Sequence, residues 1–424
     1  MNNQYVIYED SKWKHFGTPV FTRPVFHLRY GTMNCLQRLE SLSINCKYLI
    51  RNYLEGLYDK ELIYNTETAS SERIFLNGRV AWRSEDVDLI MNHHPNTFFT
   101  YNSEVIAFKI DGKTKDPIRL SADGTIENVD TSSGNIVDIT VVIYDYIWEF
   151  IEKLSDNLID DISNPTLISK YSKLVNTHQI QTNAINNVYY KGSMIVSPGV
   201  VIDSKNHPVL LEENVNLGAG CILSSVEGPI LIDEGASLEA GCIINGPAYI
   251  GKHSIVRSAA RLTNVALGDH CRVGGEINTV IIQGYSNKQH SGYLGSSFLG
   301  EWVNLGAATD NSDLKNNYQP VDVIINGKKY SSNNLHIGVF LGDFCRTAIH
   351  TRLNSGTMVG ACCNLFGIDF PPKEIPSFSW VTSDDIVLYK YEKAIETIDT
   401  IMKRRKISLT SELEAVLKHL FNER

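Results

Sequence analysis

Aliphatic residues recur every six positions through much of the second half of this chain. Leu211, Leu217 and Leu223 form one run, and Ile232, Leu238, Ile244, Ile250, Val256 and Leu262 a second, followed by Leu267 and Val273. Leu299 and Leu305, then Leu341, Leu353, Val359 and Leu365 continue the pattern, with Thr347 in the missing slot. The next position is usually small or turn-forming, as at Gly218, Asp233, Gly251, Gly268, Gly306 and Gly360. A period of six fits neither a helix nor a lone alternating strand. It fits a triangular coil in which each side is one short strand, the aliphatic residue points inward and a turn follows. Three hexapeptides close a coil of about 18 residues, and stacked coils bury one continuous apolar core. Residues from about 195 to 367 therefore read as a left-handed parallel β-helix.

The cysteines agree with this register. Cys221, Cys242, Cys271, Cys345 and Cys363 each lie four residues after an aliphatic marker, in a slot that elsewhere holds Val215, Ala236, Ser254, Val303 and Thr357. Cys345 and Cys363 are one coil apart and should stack. The eight cysteines include no CxxC pair and no His/Cys ligand spacing, so packing explains them better than metal does.

The repeat breaks between about 307 and 337. Val321-Asp-Val-Ile-Ile, Asn326-Gly327 and Lys-Lys-Tyr330 spell a two-residue hairpin, and long excursions from a solenoid tend to carry function. Residues 383–404 turn helical. Ser411-x-x-Glu414 reads as a capping box for a last helix, and both terminal helices are expected to cap the solenoid. The first 160 residues alternate strands and helices, as a three-layer α/β domain would. The Asn-rich stretch 161–194 is the expected linker, followed by the β-helix at 195–370 and the helical cap at 371–424.

Composition narrows the function. Hydrophobic residues at 43% and charged residues at 21% suit a globular protein with a sizeable core. Lys and Arg number 39 against 48 Asp and Glu, a net charge of -9, which disfavours a nucleic-acid backbone binder. No apolar run approaches the roughly 18 residues of a membrane span, and the start has no signal pattern, so a cytoplasmic location is expected. The sharpest segment is Gly284–Tyr318, which gathers His290, Tyr293, Asn304, Lys315 and Tyr318 around the break in the coil. His290 lies off the aliphatic slots in a polar, glycine-rich stretch, where histidine serves as a base near neutral pH.

These residues carry a resemblance. His290, Tyr293-Leu294-Gly295 and Val303-Asn304-x-Gly306-Ala307 resemble the acetyltransferase region of the bifunctional N-acetylglucosamine-1-phosphate uridyltransferase/glucosamine-1-phosphate acetyltransferase family. Nearly the whole chain resembles a sub-family of sugar nucleotidyltransferases related to that enzyme. Its pieces are Thr22-Arg23-Pro24, Leu28-Arg29-x-Gly31, Val273-Gly-Gly-Glu276, Gly284-Tyr-Ser-Asn-Lys288, Gly300-Glu-Trp-Val-Asn304, Leu314-Lys-Asn-Asn-Tyr318 and Pro376-Ser-Phe-Ser-Trp380.

The resemblance implies a nucleotidyltransferase-like N-terminal domain and a hexapeptide acyltransferase, assembled as a homotrimer with coenzyme between coils. It implies that His290 takes a proton from a hexosamine amine attacking acetyl-CoA. Tyr293 and Asn304 would hold the sugar phosphate, and the Ala307 amide would face the thioester carbonyl. Asp343 and Ala361 match positions that contact the coenzyme. Where the family has a sugar-phosphate lysine this chain has Asn278, and the family's arginine has an approximate counterpart in Arg261. Lys288 and Lys315 are the expected replacements for that charge, with Tyr318 beside them.

The N-terminal segment departs further. The glycine-rich triphosphate loop is missing, and the metal-binding aspartate is replaced within Leu76-Asn77-Gly78-Arg79, where Asn is a poorer Mg2+ ligand. Arg23 and Arg29 form either a substitute phosphate site or structural ion pairs. The alternatives are a sugar-1-phosphate nucleotidyltransferase using Mg2+ and a nucleoside triphosphate, or a regulator that binds without turnover. A γ-type carbonic anhydrase shares the β-helix, but its histidine spacing is missing here.

Overall fold

The structure, a computed structural model, describes residues 4–65, 72–174, 180–367 and 369–424. It divides into two compact units. One comprises the chain to Leu28, Met33–Ile147 and Leu409–Glu423; the other comprises Arg29–Thr32, Trp148–Ser408 and the terminal Arg424.

The first unit is built on a mixed sheet. Strands β1 (Gln4–Tyr8), β2 (Cys46–Leu49) and β3 (Arg73–Asn77) are parallel, with β1 in the middle. β4 (Thr97–Tyr101) and β5 (Glu104–Ile110) extend it as an antiparallel pair beyond β3. Val6, Tyr8, Phe75, Phe98 and Phe108 pack on one face, with the Phe75 and Phe108 rings stacked at 4.3 Å. Burial of side chains this size contributes roughly 1.5–3 kcal/mol each.

The last helix, Ser411–Asn422, belongs to this unit rather than to the end of the solenoid. His419 stacks on Tyr53 at 4.2 Å. Its cap is Thr410, one residue ahead of the expected Ser411: the Thr410 hydroxyl accepts the Leu413 N–H.

The second unit is a parallel β-helix. Every aliphatic marker named above lies in one buried cluster running from Leu174 to Val381. The slot four residues later is also fully buried, at Cys221, Cys242, Ser254, Cys271, Val303, Cys345 and Cys363. Arg346 pairs with Asn364, so Cys345 and Cys363 do stack. Coil length varies: Leu211 pairs with Ile232, Ile232 with Ile250, Ile250 with Leu267 and Leu267 with Ile282. The turns at the edges absorb these differences, while the inward residues hold register. The ladder already includes Ile180–Thr182 and Val188–Tyr190, within the segment expected as a linker, of which 175–179 lie outside the described residues. The helix Leu154–Ile162 is part of this unit too.

The break is a hairpin, as its residues imply. Asp322–Ile325 pairs with Lys328–Ser331, and both Asn326 (φ 52°) and Gly327 (φ 73°) take the left-handed conformation such a turn requires. Leu299 then pairs with Leu341, closing the ladder beneath the excursion. Among the described residues, no helix is long and apolar enough to cross a membrane.

Candidate functional site

Two edges of the β-helix prism define the geometry. On the first, backbone bonds stack residue on residue: Ala308 N–H donates to the Ser291 carbonyl at 3.0 Å, and His350 N–H to the Ala307 carbonyl at 2.8 Å. His290, beside Ser291, is exposed on this edge. The Ala307 N–H, one coil further, has no acceptor among the described residues. The structure therefore brings together the expected base and the expected carbonyl-facing amide.

The second edge carries a ladder of rings. His253, His270, Tyr285, Trp302 and Phe344 stack in sequence at 5.1, 5.0, 4.5 and 6.3 Å. All five sit at left-handed φ between 50° and 61°, the turn conformation of this edge. Asp343 and Ala361 belong here, since Cys362 N–H donates to the Asp343 carbonyl and Phe378 N–H to that of Ala361. The Asp343 carboxylate accepts the Glu301 N–H at 2.8 Å, and the Ala361 N–H donates to Ser377 Oγ. Both side chains are buried, and the two residues are not on the edge of His290.

Lys288 occupies an inward slot. It pairs across from Val273, where the six-residue count from Ile282 places an aliphatic residue, and it is fully buried. Its ammonium donates to the carbonyls of His290 (2.6 Å), Ser291 (3.0 Å) and Gly274 (3.4 Å). Burial pushes its pKa down to about 8. It cannot meet a phosphate outside the coil, contrary to the sequence expectation; it ties the His290 turn to the core.

Tyr293 also has another employment. Its hydroxyl donates to Asp313 at 3.1 Å and its N–H to Asp310 at 2.6 Å, while Ser296 shares Asp313. Burial and then Asp313 hold its phenol well above the usual range. With Glu276 paired across from it, this surroundings is acidic and suits an amine better than a phosphate. Lys315 is likewise paired, to the Pro320 carbonyl (2.6 Å) and Asp322 (3.4 Å) within the excursion. Tyr318 is exposed beyond it. Asn304 is part-exposed, its Oδ1 within 3.4 Å of the Asn287 amide.

Arg23 and Arg29 fall in different units. Arg23 is buried beside His27, whose pKa burial and then the Arg23 charge push down to about 3; its carbonyl accepts Arg51, itself paired with buried Glu9. Arg29 is buried over the Tyr249 ring at 5.1 Å, its N–H donating to Gln283. Its guanidinium also donates to the Thr32 carbonyl, so Arg29 is held by a ring and a carbonyl rather than by a carboxylate among the described residues.

Mg2+ was expected only if the first unit works as a nucleotidyltransferase. Beyond the C-terminal ends of β1 and β3, Asp10, Glu104 and Asp145 converge, but on the buried Arg79 guanidinium. Lys12 bridges Glu104 (2.5 Å) and Asp145 (3.0 Å), and the Asn77 amide donates to Asp10 at 2.7 Å. An arginine and a lysine already neutralise these carboxylates, so this donor set does not fit a divalent cation. A cavity of about 560 Å³ opens beside them, lined by Tyr8, Ser11, Thr100 and Asn128 among others.

Known proteins can be set beside this geometry. Residues 5–169 match the family described as sugar nucleotidyl transferase. A bifunctional sugar-1-phosphate nucleotidylyltransferase/acetyltransferase of Sulfurisphaera tokodaii is 32% identical over 91 residues, 22% of this chain and 23% of that protein. The bifunctional protein GlmU of Methanocaldococcus jannaschii is 27% identical over 146 residues, 34% of this chain and 33% of its own length. That of Methanococcus vannielii is 29% identical over 145 residues, 34% of each. The matches span about a third or less of each relative. The resemblance read from the sequence stands: this chain is similar to the bifunctional nucleotidylyltransferase/acetyltransferases, and its N-terminal residues match the sugar nucleotidyl transferase family.

Proposed function

We propose that the protein is a transferase that moves an acetyl group from acetyl-CoA to the amine of an amino-sugar phosphate on the β-helix. The observation that carries this reading is the pairing on one edge of exposed His290 with the unpartnered Ala307 N–H. His290 removes a proton as the amine attacks the thioester carbonyl; the C–N bond forms, the C–S bond breaks, and the coenzyme leaves as its thiol. The Ala307 amide stabilises the oxyanion that develops, a role in which one donor typically contributes about 10²–10³ in rate. Tyr293, Asp310 and Asp313 supply an acidic flank for the amine, and Lys288 fixes the His290 turn from inside.

A homotrimer, which the resemblance implies, sets a second coil against the histidine edge, where Ile349 is 67% exposed. Its check is a solution mass of three 47.5 kDa chains. The test of the activity is thiol release on mixing the full chain, acetyl-CoA and glucosamine 1-phosphate. Release should require the sugar and fall at least about 100-fold in His290→Ala. No release with any hexosamine phosphate, or full release by the variant, overturns the reading.

A further inference from the structure

Asp313 stands at the neck of the excursion, where the chain leaves the coil and returns to it. Leu314 bridges His336 antiparallel, and the Ile337 N–H donates to the Asp313 carbonyl at 2.9 Å. Its carboxylate turns back onto the coil. One oxygen accepts both the Tyr293 hydroxyl (3.1 Å) and the Ser296 hydroxyl (2.9 Å), with His336 Nδ1 at 4.0 Å. The Asp313 side chain is 16% exposed, so these bonds form largely out of water, where a hydrogen bond is electrostatically stronger. The ring it holds has little freedom. The Tyr293 N–H is fixed on Asp310 at 2.6 Å, and the ring leans along its own strand over Gly295, where a Cβ would run into the phenol oxygen. Gly295 is tied in both directions to the Asn311 amide, at 2.8 and 3.0 Å. Asn278, which stands where the family has its sugar-phosphate lysine, pairs across from Gly295, so the ladder neighbour on that side is neutral.

A phenol has one proton to give. Burial and then Asp313 keep that proton on the oxygen, and the hydrogen bond commits it to the carboxylate. What remains are lone pairs, made richer by the negative charge behind them. Such an oxygen accepts a hydrogen bond from an N–H or O–H. It has nothing left to donate to a phosphate monoester, whose second pKa of about 6 leaves it with acceptors alone at pH 8.

We propose that Asp313 is a positioning residue that makes Tyr293 a hydrogen-bond acceptor, so that Tyr293 reads a hydroxyl or the amine of the acceptor sugar and not its phosphate. Three residues separate Tyr293 from His290, at most about 10 Å of chain, so one small acceptor can meet both. The excursion thereby takes part in substrate choice through its neck rather than its tip. This role rests on the acetyl-transfer reading for its substrate, and a binding measurement keeps the two separable.

The test compares the full chain with Tyr293→Phe, Asp313→Ala and the double variant at pH 8, following thiol release from acetyl-CoA with glucosamine 1-phosphate and with glucosamine. Each single substitution should raise KM for the sugar at least tenfold and change kcat less than threefold, and the double variant should be no worse than the worse single one. The Tyr293→Phe penalty should be the same with glucosamine as with its phosphate. Ser296→Ala, which takes another donor from the same carboxylate, should leave KM within twofold and so separates the clamp from a loss of packing. A Tyr293→Phe penalty that disappears when the sugar lacks phosphate would put the phenol on the phosphate and overturn the proposal, as would additive penalties or an unchanged KM in both single variants. Calorimetric titration with glucosamine 1-phosphate alone repeats the comparison without turnover. Binding at least tenfold weaker in both variants, in a chain that releases no thiol, would keep the role of Asp313 and sink acetyl transfer; thiol release with equal affinities would do the reverse.

Discussion

Lys288→Met is the most informative single change in the coil. The native ammonium sits in a slot designed for an aliphatic side chain, fully buried, with its pKa lowered from 10.5 to about 8. That gap of about 2.5 units, at 1.36 kcal/mol each, is a penalty of about 3 kcal/mol for carrying charge in the folded state. Below pH 8 both states are protonated and the penalty is fully present. Between about pH 8 and 10.5 the folded chain has released its proton and the unfolded chain has not. Stability then rises with pH by about 1.4 kcal/mol per unit and levels off above the unfolded pKa. Methionine is close to lysine in length and carries no charge, so the variant lacks this rise. It does leave the His290 and Gly274 carbonyls without their donor, at roughly 1–3 kcal/mol for each buried group left unsatisfied. The two terms nearly offset at pH 7. Paired urea denaturation of wild type and variant at pH 7 and pH 10 isolates the lysine, because every other titrating group cancels. The wild type should gain about 3 kcal/mol on the variant across that interval. Parallel stability curves would show that Lys288 is not held charged inside the coil, and the argument for its grip on the His290 turn would go with them.

Two other outcomes follow from buried groups. Arg79→Met strips three carboxylates, 14–40% exposed, of their shared buried cation and should lower stability through their mutual repulsion, and added Mn2+ should raise the melting temperature of the variant but not of the wild type. Equal Mn2+ responses would mean that Arg79 does not occupy the place of a metal. All eight cysteines are buried, and burial pushes Cys271 up to about 12, so Ellman's reagent should find no thiol in the native chain and eight after denaturation. Prompt reaction of any thiol before unfolding contradicts the packing described.

The coil was legible because its core is periodic: a six-residue count puts Leu211 through Leu365 on the inside without knowledge of any contact. The same count would have found Lys288, which lies six after Ile282 and six before Leu294. Its polarity drew it toward the surface in the reading, although an ammonium can be buried where three carbonyls converge. Asp343 and Ala361 came from the resemblance and not from the count. Turns of unequal length and the hairpin break the count between Leu305 and Leu341, and only backbone pairing places both on the edge of the stacked rings. Tyr293 kept its position, but its partner Asp313 lies 20 residues away inside the excursion, which no local pattern reports. The helix Ser411–Asn422 was visible as a helix; its place against Tyr53 depends on a contact 366 residues distant in the chain.

The distribution of neutralised charge separates the two units chemically. In the first, three cations near the ends of β1 and β3 have carboxylates in contact: Arg79 has three, Arg51 has Glu9 and Lys12 has two. A triphosphate arriving there would have to displace those carboxylates and pay their repulsion. On the coil, Arg272, Arg346, Arg404 and Arg405 have no such partners among the described residues, and the outward column between them includes Asn304, one coil from the residues nearest His290. Phosphate binding is favoured where cations are unneutralised and partly withdrawn from water, because the low local dielectric strengthens the pairing that finally forms. A family match over residues 5–169 directs attention to the first unit, yet four arginines without an ion pair among the described residues lie along the second. Substitutions that remove Arg346 and Arg405 should therefore perturb nucleotide binding by this chain more than any substitution at Arg79, and comparing their dissociation constants for one nucleotide decides between the two locations.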